Sequence, residues 1–431
     1  MRKVLIIADL YHASPRIPSL SKYFPEFNWE PIVLTGHPPE AEDQKFKVIQ
    51  TPFPDSIIEW KKKLRLHPHD GFQKQIGIPL SIRQSKWSLS TMLVNLMRGV
   101  IAYPDAHKKW KQFALECANE LLEKEKIDAI ISSSSPVTSH LIASELRNKW
   151  RIPWIADLRD LWTQNHNYHY GPIRKFVEKR LELSTLKTAD AIVTVSPLWA
   201  ADLNMLHKGK IVYSITNGFE PDLLRTRQNN LTSKFSITYT GPIYTGKHNT
   251  GEFLSALKDL VENKVINLND VEVRFYGPPD ELLAKEIEQY QLTDIVTQYG
   301  LVPRKISVEK QRESQLLLLL YWNSPKVKGW YPLKVFEYLA SQRPILVTGG
   351  PGGDVVEKLM NKTKAGVYCR NILEIKERLS QYYLEYKEKG RISNSSIEVD
   401  EINKYNYKNA AKKFTEILDN LIKHAGDLKS C

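Results

Sequence analysis

Hydrophobic residues fall along this chain in two patterns that alternate from end to end. Short runs of branched and aromatic residues stop at polar, Gly or Pro positions, which is typical of buried parallel strands. In the first half these runs lie at 3–8, 29–35, 129–132, 154–156 and 191–195. In the second half they lie at 235–240, 271–276, 296–299, 316–321 and 344–347. Between them, hydrophobic residues recur at helical spacing, at 110–125, 173–189, 251–263, 333–341 and 407–424.

This alternation predicts the domain organisation. Strands and helices that alternate in both halves give parallel sheets with helices on both faces, an α/β fold of two Rossmann-like doubly wound domains. We expect a first domain over 1–218, a polar linker over 219–234, a second domain over 235–400, and an amphipathic helix and tail over 401–431 that can return to the first domain. Ligands bind at the carboxyl ends of strands in such sheets, so the expected site is a cleft between two facing domains.

Composition limits the partners and the compartment. With 61 Lys and Arg against 49 Asp and Glu, the formal charge is +12, which favours anionic partners. No Cys/His finger, basic zipper or RNP-type motif supports nucleic acid as the partner. Three scattered cysteines are too few for a disulfide framework or a zinc cluster, and no hydrophobic run reaches the about 20 residues of a membrane span. These features, together with the lack of a secretory leader, predict a cytoplasmic protein.

The segment 329–350 carries the most informative pattern, Gly-x-x-Pro-x-Lys-x-x-Glu-Tyr-Leu-Ala followed by Pro-Ile. A helix that opens near Pro332 would leave backbone N–H groups for an anion, and Lys334 would add a full positive charge. Glu337, one turn further on the same side, could accept hydrogen bonds from the two hydroxyls of a ribose. The alternative interpretation is an ordinary helix with a solvated Lys and Glu.

Three other loops follow predicted strands. In the loop 239–247, Gly241 ends a strand and Lys247 adds a cation; the alternative is a hairpin-like loop with a solvated Lys. The loop 298–302 offers backbone groups at a strand end. The loop 349–354, with the sequence GGPGGD, could cradle a phosphate, but it lacks the Lys-Ser/Thr ending of a P-loop. We therefore prefer a tight loop that lines the cleft.

Together these motifs resemble the donor-nucleotide site of family-four glycosyltransferases, which have the GT-B fold. The resemblance implies that Glu337 binds the donor ribose and that Lys247 and Lys334 bind the pyrophosphate, as donor-binding and catalytic cations. The other donor-binding positions that it implies lie in the loops, at Gly241, Gly300, Leu301, Tyr331 and Leu333. The chain departs from the family twice: the first Glu of the family's Glu pair falls at Gly329, and Pro242 occupies the usual Arg position.

The first half resembles the acceptor-side domain of bacterial envelope-polysaccharide members of that family. The resemblance lies in Pro104-Asp105 with Trp110, in SSSSP at 132–136 and in WIADLRDLW at 154–162. It implies acceptor-side roles for four residues, Asp9, His12, Ser135 and His140. Three charged residues crowd together after a strand and are further catalytic candidates: Asp157, Arg159 and Asp160. A structural Arg–Asp ion pair explains them equally well.

The implied reaction is retaining transfer of a sugar from a nucleoside-diphosphate sugar to a lipid-linked or soluble glycan acceptor, in cell-surface polysaccharide synthesis. The chain has no Asp-x-Asp motif, so we expect basic side chains and a helix dipole, rather than a metal ion or any cofactor, to stabilise the leaving diphosphate. Two other hypotheses stay open: a GT-B sugar-nucleotide epimerase, and an inactive nucleotide-sugar-binding protein.

Cations are interleaved with tryptophans in the first half of the chain. They occur in WKKKLR at 60–65, in KKWK at 108–111, and at Arg83, Lys86, Trp87 and Arg98. Such a surface suits the headgroup layer of an anionic leaflet. We therefore expect a peripheral protein on the inner face of the cell membrane; the alternative is a solvated basic face.

Overall fold

The chain divides into two compact units. A computed structural model describes residues 1–10, 15–37, 46–65, 67, 97, 99–168, 170–225, 230–244, 246–324, 327–393 and 396–427. The first unit is formed by Met1–Ile215 together with Ala410–Cys431, and the second unit by Thr216–Asn409. No helix within the described ranges is both long enough and apolar enough to cross a membrane.

The first unit is built on a seven-stranded sheet in the order β3-β2-β1-β4-β5-β6-β7, and its described strand pairs are all parallel. Its strands are β1 Arg2–Ile7, β2 Trp29–Thr35, β3 Lys47–Gln50, β4 Ala129–Ser134, β5 Trp154–Leu158, β6 Ala191–Thr194 and β7 Val212–Ser214. Its helices include α1 Arg16–Tyr23, α2 Ser56–Lys63, α3 Trp110–Lys124, α4 Thr138–Trp150, α5 Pro172–Leu186 and α6 Pro197–Leu206, with a 3₁₀ turn at Phe24–Phe27.

The second unit repeats this plan with a six-stranded parallel sheet in the order β10-β9-β8-β11-β12-β13. Its strands are β8 Phe235–Thr240, β9 Val271–Tyr276, β10 Val296–Gly300, β11 Leu316–Leu320, β12 Ile345–Thr348 and β13 Gly366–Cys369. Its helices are α7 Pro221–Arg225, α8 Thr250–Glu262, α9 Glu281–Gln289, α10 Arg304–Glu313, α11 Lys334–Ser341, α12 Val355–Thr363, α13 Ile372–Lys389 and α14 Val399–Asn403. The predicted α/β fold with two doubly wound parallel sheets is confirmed.

Burial on both faces explains the sequence of the central strands. The strand β11 consists of five leucines, each at most 1% exposed, because helices cover both sides of a doubly wound sheet. A helix needs only one hydrophobic stripe: in α8, Phe253, Leu254 and Leu257 are fully buried, and its other side is polar. The side chain of Asn249 caps the start of α8 by accepting a hydrogen bond from the backbone N–H of Glu252.

The last helix, α15 Tyr407–Asp427, packs with the first unit over most of its length. Asp419 accepts hydrogen bonds from Arg2 at 2.5 Å and from the indole of Trp29 at 3.2 Å. The rings of Phe414 and Phe24 lie 6.4 Å apart. The expected return of this helix to the first domain is therefore confirmed.

Part of the segment predicted as a linker packs against the second unit. Phe219 is fully buried, and its backbone pairs with residues 405–407 through hydrogen bonds with Tyr405 and Tyr407. Gln342 donates a hydrogen bond to the Leu224 carbonyl of α7 at 3.0 Å. Residues 219–225 thus take part in the second unit, and the predicted domain limits otherwise stay predictions.

Candidate functional site

The strand order of the second unit reverses between β8 and β11, and ligands of doubly wound folds bind at such a reversal. Gly241 follows β8 at this point, and Tyr321 and Trp322 follow β11. We call the group Tyr239, Gly241, Lys247, Trp322 and Lys334 the switch-point cluster. It contains Gly241, Lys247 and Lys334, three of the residues predicted from sequence, whereas Tyr239 and Trp322 were not predicted as site residues.

Lys334 lies directly against the backbone at the end of β8. Its Nζ donates a hydrogen bond of 2.5 Å to the Tyr239 hydroxyl and lies 3.8 Å from the centre of that ring. A Cβ atom at Gly241 would lie 3.0 Å from the same Nζ, and Gly241 has a φ of +107°, which other residues rarely adopt. The backbone conformation therefore favours glycine there, and the approach of Lys334 leaves little room for a side chain.

Burial makes this ammonium group easy to deprotonate. It lowers the pKa of Lys334 to about 7, although Glu337 acts to raise that pKa. Burial also lowers the pKa of His248 to about 3, and the charges of Lys334 and Lys247 lower it further. His248 is therefore neutral at physiological pH, and it lies within the electrostatic range of both lysines. An anion placed here would restore the charged form of Lys334.

Lys247 reaches the same end of the sheet from the loop after β8. Its Nζ lies 4.0 Å from the centre of the Trp322 ring, a cation–π contact. Its carbonyl accepts a hydrogen bond of 2.9 Å from the backbone of Asn323, and His248 pairs with Trp322 in an isolated bridge. The loop that carries Lys247 is thus fixed to the end of β11, and the Lys247 side chain is exposed.

The helix predicted to open near Pro332 begins two residues later, at Lys334, with Leu333 as its N-cap. The backbone N–H of Val335 donates to the Pro332 carbonyl at 3.0 Å, so it is already engaged. In the described part of the chain, the backbone N–H groups of Leu333 and Lys334 have no acceptor. Leu333 is 41% exposed, whereas Tyr331 is buried against the Phe336 ring. These two N–H groups, which lie within the predicted 331–334 backbone, are available to an anion.

Glu337 forms an ion pair that the sequence analysis did not predict. Its Oε1 accepts a hydrogen bond of 2.8 Å from Arg304, the first residue of α10. The loop before α10 holds Gly300, with a φ of +79°, and Leu301, which is 75% exposed. The structure therefore brings the loop at 300–303 to the side of Glu337. Arg304 could have been identified from the sequence as a basic residue at the first position of a helix that follows a strand.

Asp354 anchors the loop in which the family's first Glu is missing. Its Oδ1 accepts a hydrogen bond of 2.9 Å from the backbone of Gly329, and its Oδ2 accepts one of 2.6 Å from the Tyr321 hydroxyl. Asp354 is only 4% exposed. Both of its carboxylate oxygens accept hydrogen bonds from protein groups, so Asp354 fixes the shape of this loop.

The glycine-rich loop 349–354 already uses part of its backbone. The N–H of Gly352 donates to the Tyr368 hydroxyl at 3.2 Å, and the N–H of Gly353 donates to Glu357 at 2.5 Å. A Cβ at Gly350 would lie 2.2 Å from the Tyr321 ring, so the loop packs closely on the end of β11. These contacts agree better with a tight packed loop than with a phosphate cradle.

In the first unit, Asp157, which lies within β5, and Arg159, which follows it, are held by protein partners. Asp157 is fully buried and accepts two hydrogen bonds from Arg16, at 3.1 and 2.9 Å, and one from Ser133 at 2.8 Å. Arg159 donates to the carbonyls of Ser134 and Ser135, at 2.7 and 3.1 Å. The ion pair at Asp157 therefore uses Arg16, which the sequence analysis did not single out, instead of Arg159; Asp160 is exposed.

The predicted acceptor-side residues occupy different environments. Asp9 is fully buried, with Oδ1 3.1 Å from His37 Nδ1. His140 is fully buried with Nδ1 2.7 Å from Ser132 Oγ, and burial lowers its pKa to about 3. Ser135 is exposed. His12 lies outside the described residues. The described hydrogen bonds of Asp9 and His140 go to different partners, His37 and Ser132.

Among the described residues, no three His, Cys, Asp or Glu side chains are grouped so that they could hold a metal ion. The predicted absence of a metal requirement stays a prediction, because it concerns the reaction and not this geometry.

Known proteins are similar to this chain in two ways. Residues 90–209 match the family model of the glycosyl transferase 4-like domain. No curated protein sequence matches the chain significantly. The domain match lies in the first unit, in the half that the sequence analysis assigned to the acceptor.

Solved structures share the fold along the whole chain. A glycosyltransferase from Rickettsia africae is 13% identical, with a TM-score of 0.60 over 98% of this chain and 99% of that one. Anabaena HepE, solved in complex with UDP, is 10% identical, with a TM-score of 0.62 over 97% and 100%. The lipopolysaccharide outer core galactosyltransferase WaaB is 12% identical, with a TM-score of 0.55 over 98% and 99%. The predicted GT-B fold is confirmed by these structures, and the resemblance to family-four glycosyltransferases is confirmed by the domain match at residues 90–209.

Proposed function

We propose that this chain is a retaining glycosyltransferase. It moves a hexosyl or N-acetylhexosaminyl group from a nucleoside-diphosphate sugar to a lipid-linked glycan in cell-surface polysaccharide synthesis. The carrying observation is the switch-point cluster, in which the two cations Lys334 and Lys247 meet at the reversal of strand order. The glycosyl transferase 4-like match and the UDP-bound structural neighbour support the same substrate class.

The two lysines suit a diphosphate because they bring two basic side chains to the loops after β8 and β11. Lys334 donates to the Tyr239 phenol, and Lys247 lies over the Trp322 ring. A diphosphate at Gly241 would meet both cations and the two backbone N–H groups at the start of α11. Glu337 would accept the ribose hydroxyls through the carboxylate that Arg304 orients.

The proposed step breaks the bond between the sugar C1 and the diphosphate oxygen and forms a bond from C1 to the acceptor oxygen on the same face. The acceptor hydroxyl proton passes to the leaving phosphate oxygen. Negative charge grows on the diphosphate as C1–O breaks, and groups that stabilise it there lower the barrier. Lys334 and Lys247 take this role, so the reaction requires no divalent cation.

The acceptor is proposed to be lipid-linked and met at an anionic membrane surface, by a protein on its cytoplasmic side. WaaB, a lipopolysaccharide enzyme of the same fold, supports a cell-surface glycan as the product. The basic stretches predicted from sequence contribute less than expected: Trp110 is fully buried and donates to Thr51 at 2.8 Å, so it is not a surface aromatic. Arg83, Lys86, Trp87 and Arg98 lie outside the described residues.

The test is turnover of labelled nucleotide sugars by the full chain with a membrane-lipid extract, in the presence of a chelator. We expect a labelled product in which the anomeric configuration of the donor is retained, as determined by NMR. Isomerised donor without acceptor would identify an epimerase, and donor binding without any turnover would identify a binding protein. Activity lost in chelator and restored by magnesium would overturn the metal-independent mechanism.

A further inference from the structure

The helix α5 exposes a hydrophobic stripe in the first unit. Ile173 is 82% exposed, Phe176 58% and Val177 45%. Their spacing of three and four residues places them on one side of the helix. Such a stripe is unusual on a solvated surface helix, where the large apolar side chains normally face the core.

A further exposed apolar residue lies in the segment beside the start of α5. Arg174 ties the helix to the segment 99–104 by donating hydrogen bonds to the carbonyls of Gly99, Ala102 and Pro104. Val100, in that segment, is 69% exposed. We call Val100, Ile173, Phe176 and Val177 the α5 patch.

Cations flank the patch, and the acids of α5 are turned away from it. Lys175, Lys179 and Arg180 are exposed, and the Arg180 guanidinium lies 4.4 Å from the centre of the Phe176 ring. Glu178 is buried and pairs with Arg174 at 2.5 Å, and Glu182 is buried with Thr163 and His207. The exposed side of α5, a helix whose residues are all described, therefore carries three cations and no acid.

We propose that the α5 patch docks on an anionic lipid leaflet, with its apolar side chains in the headgroup and acyl boundary and its cations against the lipid phosphates. An apolar stripe bordered by Lys and Arg is the pattern of interfacial helices. A second copy of this chain fits poorly, because pairing the patch with itself would bring six cations together. The proposal rests on the proposed lipid-linked acceptor, and it names the surface that meets the membrane.

This surface differs from the one predicted from sequence. The cations of 108–111 are partly neutralised: Lys109 pairs with Glu59 at 2.5 Å and Lys111 with Glu145 at 2.7 Å. The aromatic residue among them, Trp110, is buried. Those residues offer charge but no apolar insertion, whereas the α5 patch offers both.

The test is co-sedimentation of the full chain with phosphatidylcholine vesicles that contain phosphatidylglycerol, against pure phosphatidylcholine vesicles. The apolar variant is Ile173→Ser with Phe176→Ser and Val177→Ser, and the charge variant is Lys175→Gln with Lys179→Gln and Arg180→Gln.

Two matched controls keep the α5 patch intact. Leu373→Ser with Leu384→Ser changes leucines that are 75% and 57% exposed on α13, and Lys61→Gln with Lys62→Gln and Lys63→Gln neutralises the basic end of α2. Calorimetry with UDP, ADP and GDP measures donor-site binding in each protein.

We expect the parent to bind only the anionic vesicles. The apolar and charge variants should each bind about tenfold more weakly or worse, since each lost cation or buried apolar group contributes to partitioning. The charge effect should shrink at high salt, and both controls should bind like the parent. Three results would overturn the proposal. The apolar variant could bind the anionic vesicles as tightly as the parent, or the α2 variant could be the one variant that loses binding. The parent could also fail to bind anionic vesicles at all. Nucleotide affinity should be equal in all of these proteins, so a failure of the membrane surface is distinguishable from a failure of the donor site.

Discussion

The carboxyl ends of the two sheets have the same strand order but differ in how the charged side chains Asp157, Arg159 and Lys334 are paired. Both sheets place their first, second and third strands on one side of the reversal and the later strands on the other. In the first unit, the carboxylate of Asp157 accepts hydrogen bonds from Arg16 and Ser133, and the Arg159 guanidinium donates to two backbone carbonyls. In the second unit, Lys334 is half-buried, and its described hydrogen bond goes to a neutral phenol, that of Tyr239.

The difference separates a framework from a binding site. Charges that are matched inside the protein fix the shape of a loop and leave little electrostatic attraction for a ligand. A partly desolvated cation with a neutral partner stays electrostatically unsatisfied until an anion arrives. The same strand order therefore supports a charge-matched framework in one unit and the proposed diphosphate site in the other.

The largest expected effect is a loss of stability when the buried ion pair of Arg16 and Asp157 in the first unit is broken. Arg16→Met leaves the buried carboxylate of Asp157 without its ion-pair partner, which should lower the free energy of unfolding by about 3–5 kcal/mol. Urea unfolding followed by circular dichroism measures this loss. The matched control is Arg180→Met, an exposed Arg on α5 whose removal should change stability by less than about 0.5 kcal/mol. Equal stability of Arg16→Met and the parent would contradict the structural role of the pair.

The second effect is a loss of turnover, without unfolding, when Lys334 in the second unit is replaced. Lys334→Met should lower turnover about 100-fold, because one preorganised charge at the leaving diphosphate is lost. The melting temperature at pH 7 should stay the same or rise, since burial already disfavours the charged form of Lys334. Lys285→Met, an exposed Lys on α9, is the control and should change neither quantity. Loss of turnover together with loss of fold would assign Lys334 a structural role instead.

The third effect tests the ribose assignment. Glu337→Ala should weaken nucleoside-diphosphate binding by about 1–3 kcal/mol in calorimetry, the usual loss for a charged hydrogen-bond partner. Arg304→Ala removes the ion pair but keeps the carboxylate; such a half-exposed pair contributes only about 0.2–1 kcal/mol to stability. Arg304→Ala should therefore weaken binding less than Glu337→Ala. Parent-like affinity in Glu337→Ala would show that this ion pair is only structural.

The smallest effect is a pH dependence of donor affinity. Lys334 has a pKa of about 7 before binding, and a bound diphosphate raises that pKa because it favours the ammonium form. Above pH 7, binding must therefore take up a proton, and affinity should fall as pH rises, by at most about tenfold per pH unit. Calorimetry in buffers of different ionisation enthalpy should register that proton. The Lys334→Met variant should have a flat profile over the same range, and a sloping profile in that variant would assign the proton elsewhere.

Sequence patterns predicted the buried strands of both sheets but missed β3, β7 and β13. All three lie at sheet edges, and each contains partly exposed residues. A short strand that is covered on one side lacks the continuous hydrophobic run by which buried strands are recognised. The missed strands are thus those in which partial burial produces the weakest hydrophobic pattern in the sequence.

The site was predicted unevenly for a similar reason. Local patterns indicated Gly241, Lys334 and Glu337, since each lies in a strand–loop–helix motif with a physical role. Their partners are distant along the chain: Tyr239 is 95 residues from Lys334, and Arg304 is 33 from Glu337. Arg16 and Asp157 are 141 residues apart, so the sequence could suggest an ion pair at Asp157 but could not identify the Arg.

Calorimetric titration of UDP, ADP and GDP, and of the matching monophosphates, tests the central claim most directly. It uses the full parent chain and the variant Lys247→Ala with Lys334→Met, without divalent cations. The account predicts that the parent binds at least one diphosphate more tightly than its monophosphate. It also predicts that the double variant loses this preference while its melting temperature is kept. A parent that binds no diphosphate, or a double variant that keeps the full preference, would contradict the assignment of the switch-point cluster as the diphosphate site.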